Sequence, residues 1–153
     1  MKYLILFSLL LLTVVTARAD TKVILPDSQR YADAGKDFLV ETTVPGDFQS
    51  LDGIVFALLT LSPLNPKQLY TPFFPGKVSR ATEPLSSTFR GVRKKGKKVT
   101  LRFTGDAMPY LDSAISMQEQ IKGSLEGTIK LHARDCKEIE YEIDGNVVTE
   151  WDA

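Results

Sequence analysis

The chain of 153 residues has one cysteine, one histidine and one tryptophan. A lone cysteine excludes an internal disulfide, so packing alone must hold the fold even in an oxidising compartment. One histidine and one cysteine fall short of the three or four nitrogen and sulfur ligands of a typical zinc site; neither a metal nor any other cofactor is expected. A charge excess is missing too, because 19 Lys and Arg balance 19 Asp and Glu. That balance leaves no overall electrostatic footprint for nucleic acid or for an acidic membrane, and overall charge makes neither an expected partner. Long apolar runs are absent apart from one at the start.

That run lies in MKYLILFSLLLLTVVTARA, residues 1–19, where Lys2 precedes an uncharged stretch from Tyr3 to Val15 and Ala17 and Ala19 precede Asp20. This is the layout of a secretory signal peptide with an A-x-A cleavage site. The run is short of the roughly 20 apolar residues a membrane span needs. No cysteine flanks the cleavage point, so no lipid attachment is expected. The expectation is an extracytoplasmic protein, periplasmic or secreted, with no stable membrane insertion after cleavage. Residues 20–153 are of single-domain size and, without Lys2 and Arg18, carry 17 basic against 19 acidic residues.

TKVILPD (21–27) and DFLVETTV (37–44) read as two strands of a hairpin-like entry to a sheet, with a polar link between them. In FQSLDGIVFALLTL (48–61), Phe48, Leu51, Val55, Leu58 and Leu59 recur at helical spacing, with Asp47 as N-cap and Ser62-Pro63 as the stop. Prolines 63, 66, 72 and 75 exclude a regular helix or central strand over 62–78. The apolar side chains there, Leu69, Tyr70, Phe73 and Phe74, are either a lid on the core or, for Tyr70, Phe73 and Phe74, an exposed aromatic binding loop. PYLDSAISMQEQIKGSLEGTIKLHA (109–133) reads as one long amphipathic helix with Leu111, Ala114, Ile115, Ile121, Leu125 and Ile129 in a stripe. Gly123 and Gly127 mark where it approaches a sheet closely. KEIEYEIDG (137–145) alternates, with Ile139, Tyr141 and Ile143 inward and Glu138, Glu140 and Glu142 outward, before an Asp144-Gly145 turn and a tail suited to an edge strand.

SSTFRGVRKKGKKVTLRFTG (86–105) is the clearest hairpin. With Lys94-Lys95-Gly96 as a three-residue loop and Gly96 left-handed, Arg93 faces Lys97, Gly91 faces Val99 and Phe89 faces Leu101. Phe89, Val99, Leu101 and Phe103 then share an apolar face, and Arg90, Lys98, Thr100 and Arg102 the other. Seven cations, Arg90, Arg93, Lys94, Lys95, Lys97, Lys98 and Arg102, fall within thirteen residues and form the candidate binding surface for an acidic protein, an anionic lipid headgroup or a cell-wall polymer. The plainer alternative is a strand edge kept from aggregating by its lysines. Were strand 138–144 to lie beside strand 97–104, acids and bases would pair across the sheet.

His132 and Cys136, with Asp135 between them, are the only candidates for nucleophilic chemistry. Such a pair needs mutual reach, a basic environment and an oxyanion donor, none of which the sequence supplies. A histidine at a helix C-terminus is accounted for by the helix dipole. The chain is therefore not expected to be an enzyme; a small hydrolase using His132 and Cys136 is the remote alternative.

The order of these segments resembles the GerMN domain family of sporulation and spore-germination proteins. The carriers are Leu58, Leu59, Ser62 and Pro63, then Pro75 and Gly76, then Gly91, Val99, Leu101, Phe103 and Thr104. Gln120, Ile121, Ser124 and Leu125 follow, and finally Ile139, Tyr141, Ile143, Asp144 and Gly145. The resemblance implies an α+β fold with two helices packed on one face of a small mixed or antiparallel sheet, akin to ring-building motifs of secretion machinery, with no known catalytic residues. It also implies a secreted, non-enzymatic binding or assembly module of the cell envelope, contacting an envelope protein or itself. Capture of a ligand or a cell-wall polymer is the alternative.

Overall fold

The first strand, β1 (Asp20–Pro26), alternates as the sequence requires, burying Val23 and Leu25, and pairs antiparallel with β2 (Leu39–Pro45), Val23 lying opposite Thr42. This computed structural model describes residues 19–62, 69, 71–78, 80–149 and 151. Residues 1–18 of the expected signal segment, Pro63, Pro66 and Tyr70 therefore lie outside the described residues. Between β1 and β2, where the sequence suggested only a polar link, stands helix α1 (Ser28–Ala34). Asp27 makes it: its Oδ1 accepts the backbone N–H groups of Gln29 and Arg30, each at 3.0 Å, and Gly35 at φ +59° ends the helix. Capping without an apolar stripe leaves little periodic signal.

Helix α2 (Leu51–Thr60) buries Ile54, Val55, Leu58 and Leu59. It begins later than the spacing suggested, because Ser50 rather than Asp47 is the N-cap, its Oγ accepting the Gly53 N–H at 3.1 Å. Phe48 thus precedes the helix and is 37 % exposed. In the proline-rich segment Phe73 is fully buried and Phe74 packs partly buried against the core. These two form a lid, which corrects the alternative of an exposed aromatic loop. The Tyr110 hydroxyl pins the lid, donating to the carbonyls of Phe73 and Glu83 at 3.1 and 2.7 Å.

The four-residue helix α3 (Leu85–Thr88) leads into β3 (Phe89–Lys95), antiparallel to β4 (Lys98–Phe103). The turn is Gly96-Lys97, two residues and not the expected three, with Lys95 opposite Lys98 and Val92 opposite Leu101. Gly96 is left-handed at φ +59° as expected. A bulge between Phe89 and Gly91 then shifts the register, so Phe89 meets Phe103, not Leu101, with ring centroids 5.6 Å apart. The apolar face keeps its expected members because the bulge restores Phe89 to it. Gly91 permits the bulge: its φ is +110°, and a Cβ there would lie 2.6 Å from Asp52 Oδ1. That same oxygen accepts the Val92 N–H at 2.7 Å, so α2 guards this edge strand.

The expected continuous helix over 109–133 is two helices, α4 (Met108–Leu111) and α5 (Ile115–His132). Between them Ser113 Oγ donates to the Tyr110 carbonyl and Gln118 Nε2 to the Ser113 carbonyl, both at 2.7 Å, which satisfies the broken turn. Ala114 and Ile115 consequently leave the stripe; Ile115 is 63 % exposed. Further on, Ile121, Leu125 and Ile129 are buried as expected. The two glycines of α5 permit close approach, to the two-stranded sheet: Cβ atoms at Gly123 and Gly127 would lie 2.8 Å from Leu39 and 3.0 Å from Ile24. Thr128 Oγ1 accepts the Ile24 N–H at 2.9 Å.

From α5 the chain returns as β5 (Glu138–Ile143), parallel to β4, and turns through Asp144-Gly145, both at positive φ, into edge strand β6 (Asn146–Val148). Paired positive φ is what a two-residue hairpin turn demands of an Asp-Gly dipeptide. The fold is mixed α+β, with a four-stranded sheet in the order β3-β4-β5-β6 and a separate β1-β2 pair. Two sheets and five helices among the described residues replace the single sheet and two helices expected. No helix among the described residues is long and apolar enough to cross a membrane.

Candidate functional site

Parallel pairing of β4 with β5 places Lys98, Thr100 and Arg102 opposite Glu138, Glu140 and Glu142 on the sheet's outer face, and Arg93 joins from β3 opposite Thr100. The result is a cross-strand charge ladder. Lys98 Nζ lies 3.0 Å from Glu138 and 3.2 Å from Glu140, and Thr100 Oγ1 donates to Glu140 at 2.8 Å. Glu142 uses both oxygens, on Arg102 Nε at 3.2 Å and on an Arg93 guanidinium nitrogen at 2.7 Å. Its carboxyl is held below the ordinary range chiefly by the Arg102 hydrogen bond, then by Arg93. The Thr100 hydrogen bond, followed by Lys98, does the same for Glu140. Hydrogen bonds to Glu138 and Glu140 raise Lys98.

The seven cations of the candidate surface thus have different fates. Arg93, Lys94, Lys98 and Arg102 are in ion pairs, Lys94 with Asp135 at 2.8 Å. Arg90 folds back to donate to the carbonyls of Ser87 and Phe89, each at 3.1 Å. Arg90, at the far end of β3, and Lys95 and Lys97, at the turn, have no ion pair with a carboxylate among the described residues. The basic surface shrinks from a strand face to a tip.

Two cations outside the hairpin join that tip. The Lys97 carbonyl accepts the N–H groups of Lys137 at 2.8 Å and Glu138 at 3.3 Å, which ties the turn to the α5–β5 connection. That connection carries exposed Arg134 and Lys137 to the same end. Asp135, beside them, is lowered by its Lys94 hydrogen bond. Sequence distance hid this convergence. The signal that finds it is the parallel register, which sets the start of β5 beside the start of β4.

The other candidates are not assembled into reactive groups. His132 Nε2 lies 2.7 Å from the Lys22 carbonyl, Cys136 Sγ donates to the Glu138 carbonyl at 3.3 Å, and Asp135 belongs to Lys94. No group of three or more His, Cys, Asp or Glu among the described residues is placed to hold a metal ion. A cleft of about 310 Å³ opens between α5 and the β5–β6 edge, lined by Lys122, Glu126, Ile139, Tyr141, Val148 and Trp151. The Tyr141 hydroxyl donates to Glu126 at 3.1 Å, and its ring meets Trp151 edge-on at 4.8 Å. Burial first, then Glu126, pushes the phenol well above its ordinary value, so it stays a protonated donor.

Comparison of the chain with protein-family models, with curated proteins and with solved structures gives no match.

Proposed function

We propose that this chain is a non-enzymatic, extracytoplasmic binding or assembly module of the cell envelope, working by surface contact. The carrying observation is the tip, where Lys95, Lys97, Arg134 and Lys137 from two distant segments are exposed together while the cations of the sheet face are paired within the chain. A tethered pair of segments supports a contact surface better than it supports chemistry, since His132 and Cys136 are each engaged by backbone carbonyls. The GerMN-like order of core and turn residues is consistent with the same role. The test is crosslinking and pull-down from the native envelope with wild type and a Lys95→Glu, Lys97→Glu variant. Tip-dependent capture supports the module; contacts unchanged by the reversal reject it.

Self-association is a second reading, favoured by the charge asymmetry of the sheet. The end opposite the tip carries exposed Asp106 and Asp144, the latter beside Gly105. Light scattering over concentration and salt reads it directly: a mass that falls with added salt supports head-to-tail contact, and a constant monomer mass removes it.

A further inference from the structure

We propose that the tip formed by the β3–β4 turn and the α5–β5 connection docks reversibly onto an anionic phospholipid surface. This rests on the reading of the chain as a contact module and names its partner. Lys94, Lys95, Lys97, Arg134 and Lys137 gather there with one carboxylate, Asp135. Counting the adjoining Lys98 with Glu138 and Glu140 still leaves six cations to three carboxylates. Exposed Lys130 stands in the last turn of α5 at the same end.

Composition selects the partner. Protein interfaces are organised around a desolvated centre rich in aromatic residues and depleted in lysine. Among the described residues the exposed large apolar side chains are Leu39, Phe48, Phe56, Ile115 and Val147, none of them in either tip segment. A small anion calls for fixed, converging donors, whereas Lys95 and Lys97 offer ammonium groups on long flexible stems. A headgroup layer asks for neither an apolar anchor nor fixed geometry. It responds to the number of basic residues brought within a Debye length of it. Asp106 and Asp144 at the opposite end are repelled by the same surface, so the chain meets it tip first.

The experiment is co-sedimentation of the purified chain with vesicles rich in phosphatidylglycerol and with vesicles of phosphatidylcholine alone. Wild type binds the first and not the second, and about 0.5 M salt releases it. Lys95→Glu with Lys97→Glu lowers the bound fraction about tenfold or more, while Lys36→Glu, reversing an exposed cation in the loop before β2, leaves it unchanged. Circular dichroism confirms that both variants fold. Equal vesicle binding by the tip variant overturns the proposal. Absence of vesicle binding alongside tip-dependent crosslinks to an envelope protein overturns the lipid partner and keeps the contact module. Absence of both overturns the two together.

Discussion

The outer face of the four-stranded sheet and the end of that sheet are built from the same lysines, arginines and carboxylates, yet they are opposite in character. On the face, the parallel register sets Lys98 and Arg102 against acids, and Glu142 accepts from two arginines at once. At the tip, strand pairing ends at Lys95 and Lys98, and Asp135, beside the cations gathered there, is paired with Lys94. Charge in a sequence becomes surface charge only where the fold supplies no partner. The ladder is therefore expected to govern stability, and the tip association.

The largest effect should come from breaking the bulge that sets Phe89 opposite Phe103 at the end of the ladder's edge strand. Gly91→Val places a β-branched residue at φ +110° and a Cβ against Asp52; urea unfolding should show a loss of about 2 kcal/mol or more. Glu142→Gln comes next. It removes the carboxylate that Arg93 and Arg102 pair with and should lower the urea midpoint with little change in slope.

Acid should sharpen the contrast. Folded-state values of Glu140, Glu142 and Asp135 are depressed below 4.5, 4.5 and 3.8. Their contribution is present above those values and is lost as pH falls through the lower folded ones. Lys98 is raised above 10.5, so its contribution is present below that value and disappears as pH rises through the folded one. Melting temperature should be flat through neutral pH and decline on both sides, and salt should narrow the difference because the pairs are partly exposed. The smallest effect on stability belongs to the tip: Lys95→Glu with Lys97→Glu should remain within about 0.5 kcal/mol of wild type.

Much of this was legible in the sequence where one residue type has one consequence. Alternation placed Ile139, Tyr141 and Ile143 inward, and the α5 glycines announced the approach to Leu39 and Ile24. Local chemistry competing with periodicity was harder. Ser50 took the cap that Asp47 also fitted, and Ser113 and Gln118 broke a helix whose apolar spacing ran on. The hairpin register was missed because the bulge preserves the apolar face under either turn length. The site was half visible: the basic run could be read directly, but its neutralisation depends on β5 lying parallel to β4 in one register, a contact about forty residues long-range. Arg134 and Lys137 gave no local sign of joining it.

The most direct test of the division between face and tip compares two double variants of equal size, Arg93→Gln with Arg102→Gln on the ladder and Lys95→Gln with Lys97→Gln at the tip. Each is measured for urea midpoint and for binding to phosphatidylglycerol vesicles. The account predicts a lowered midpoint with binding retained for the ladder pair, and an unchanged midpoint with binding lost for the tip pair. Equal loss of binding in both, with matching stability changes, would contradict it, because the charges would then be acting as one undivided basic face.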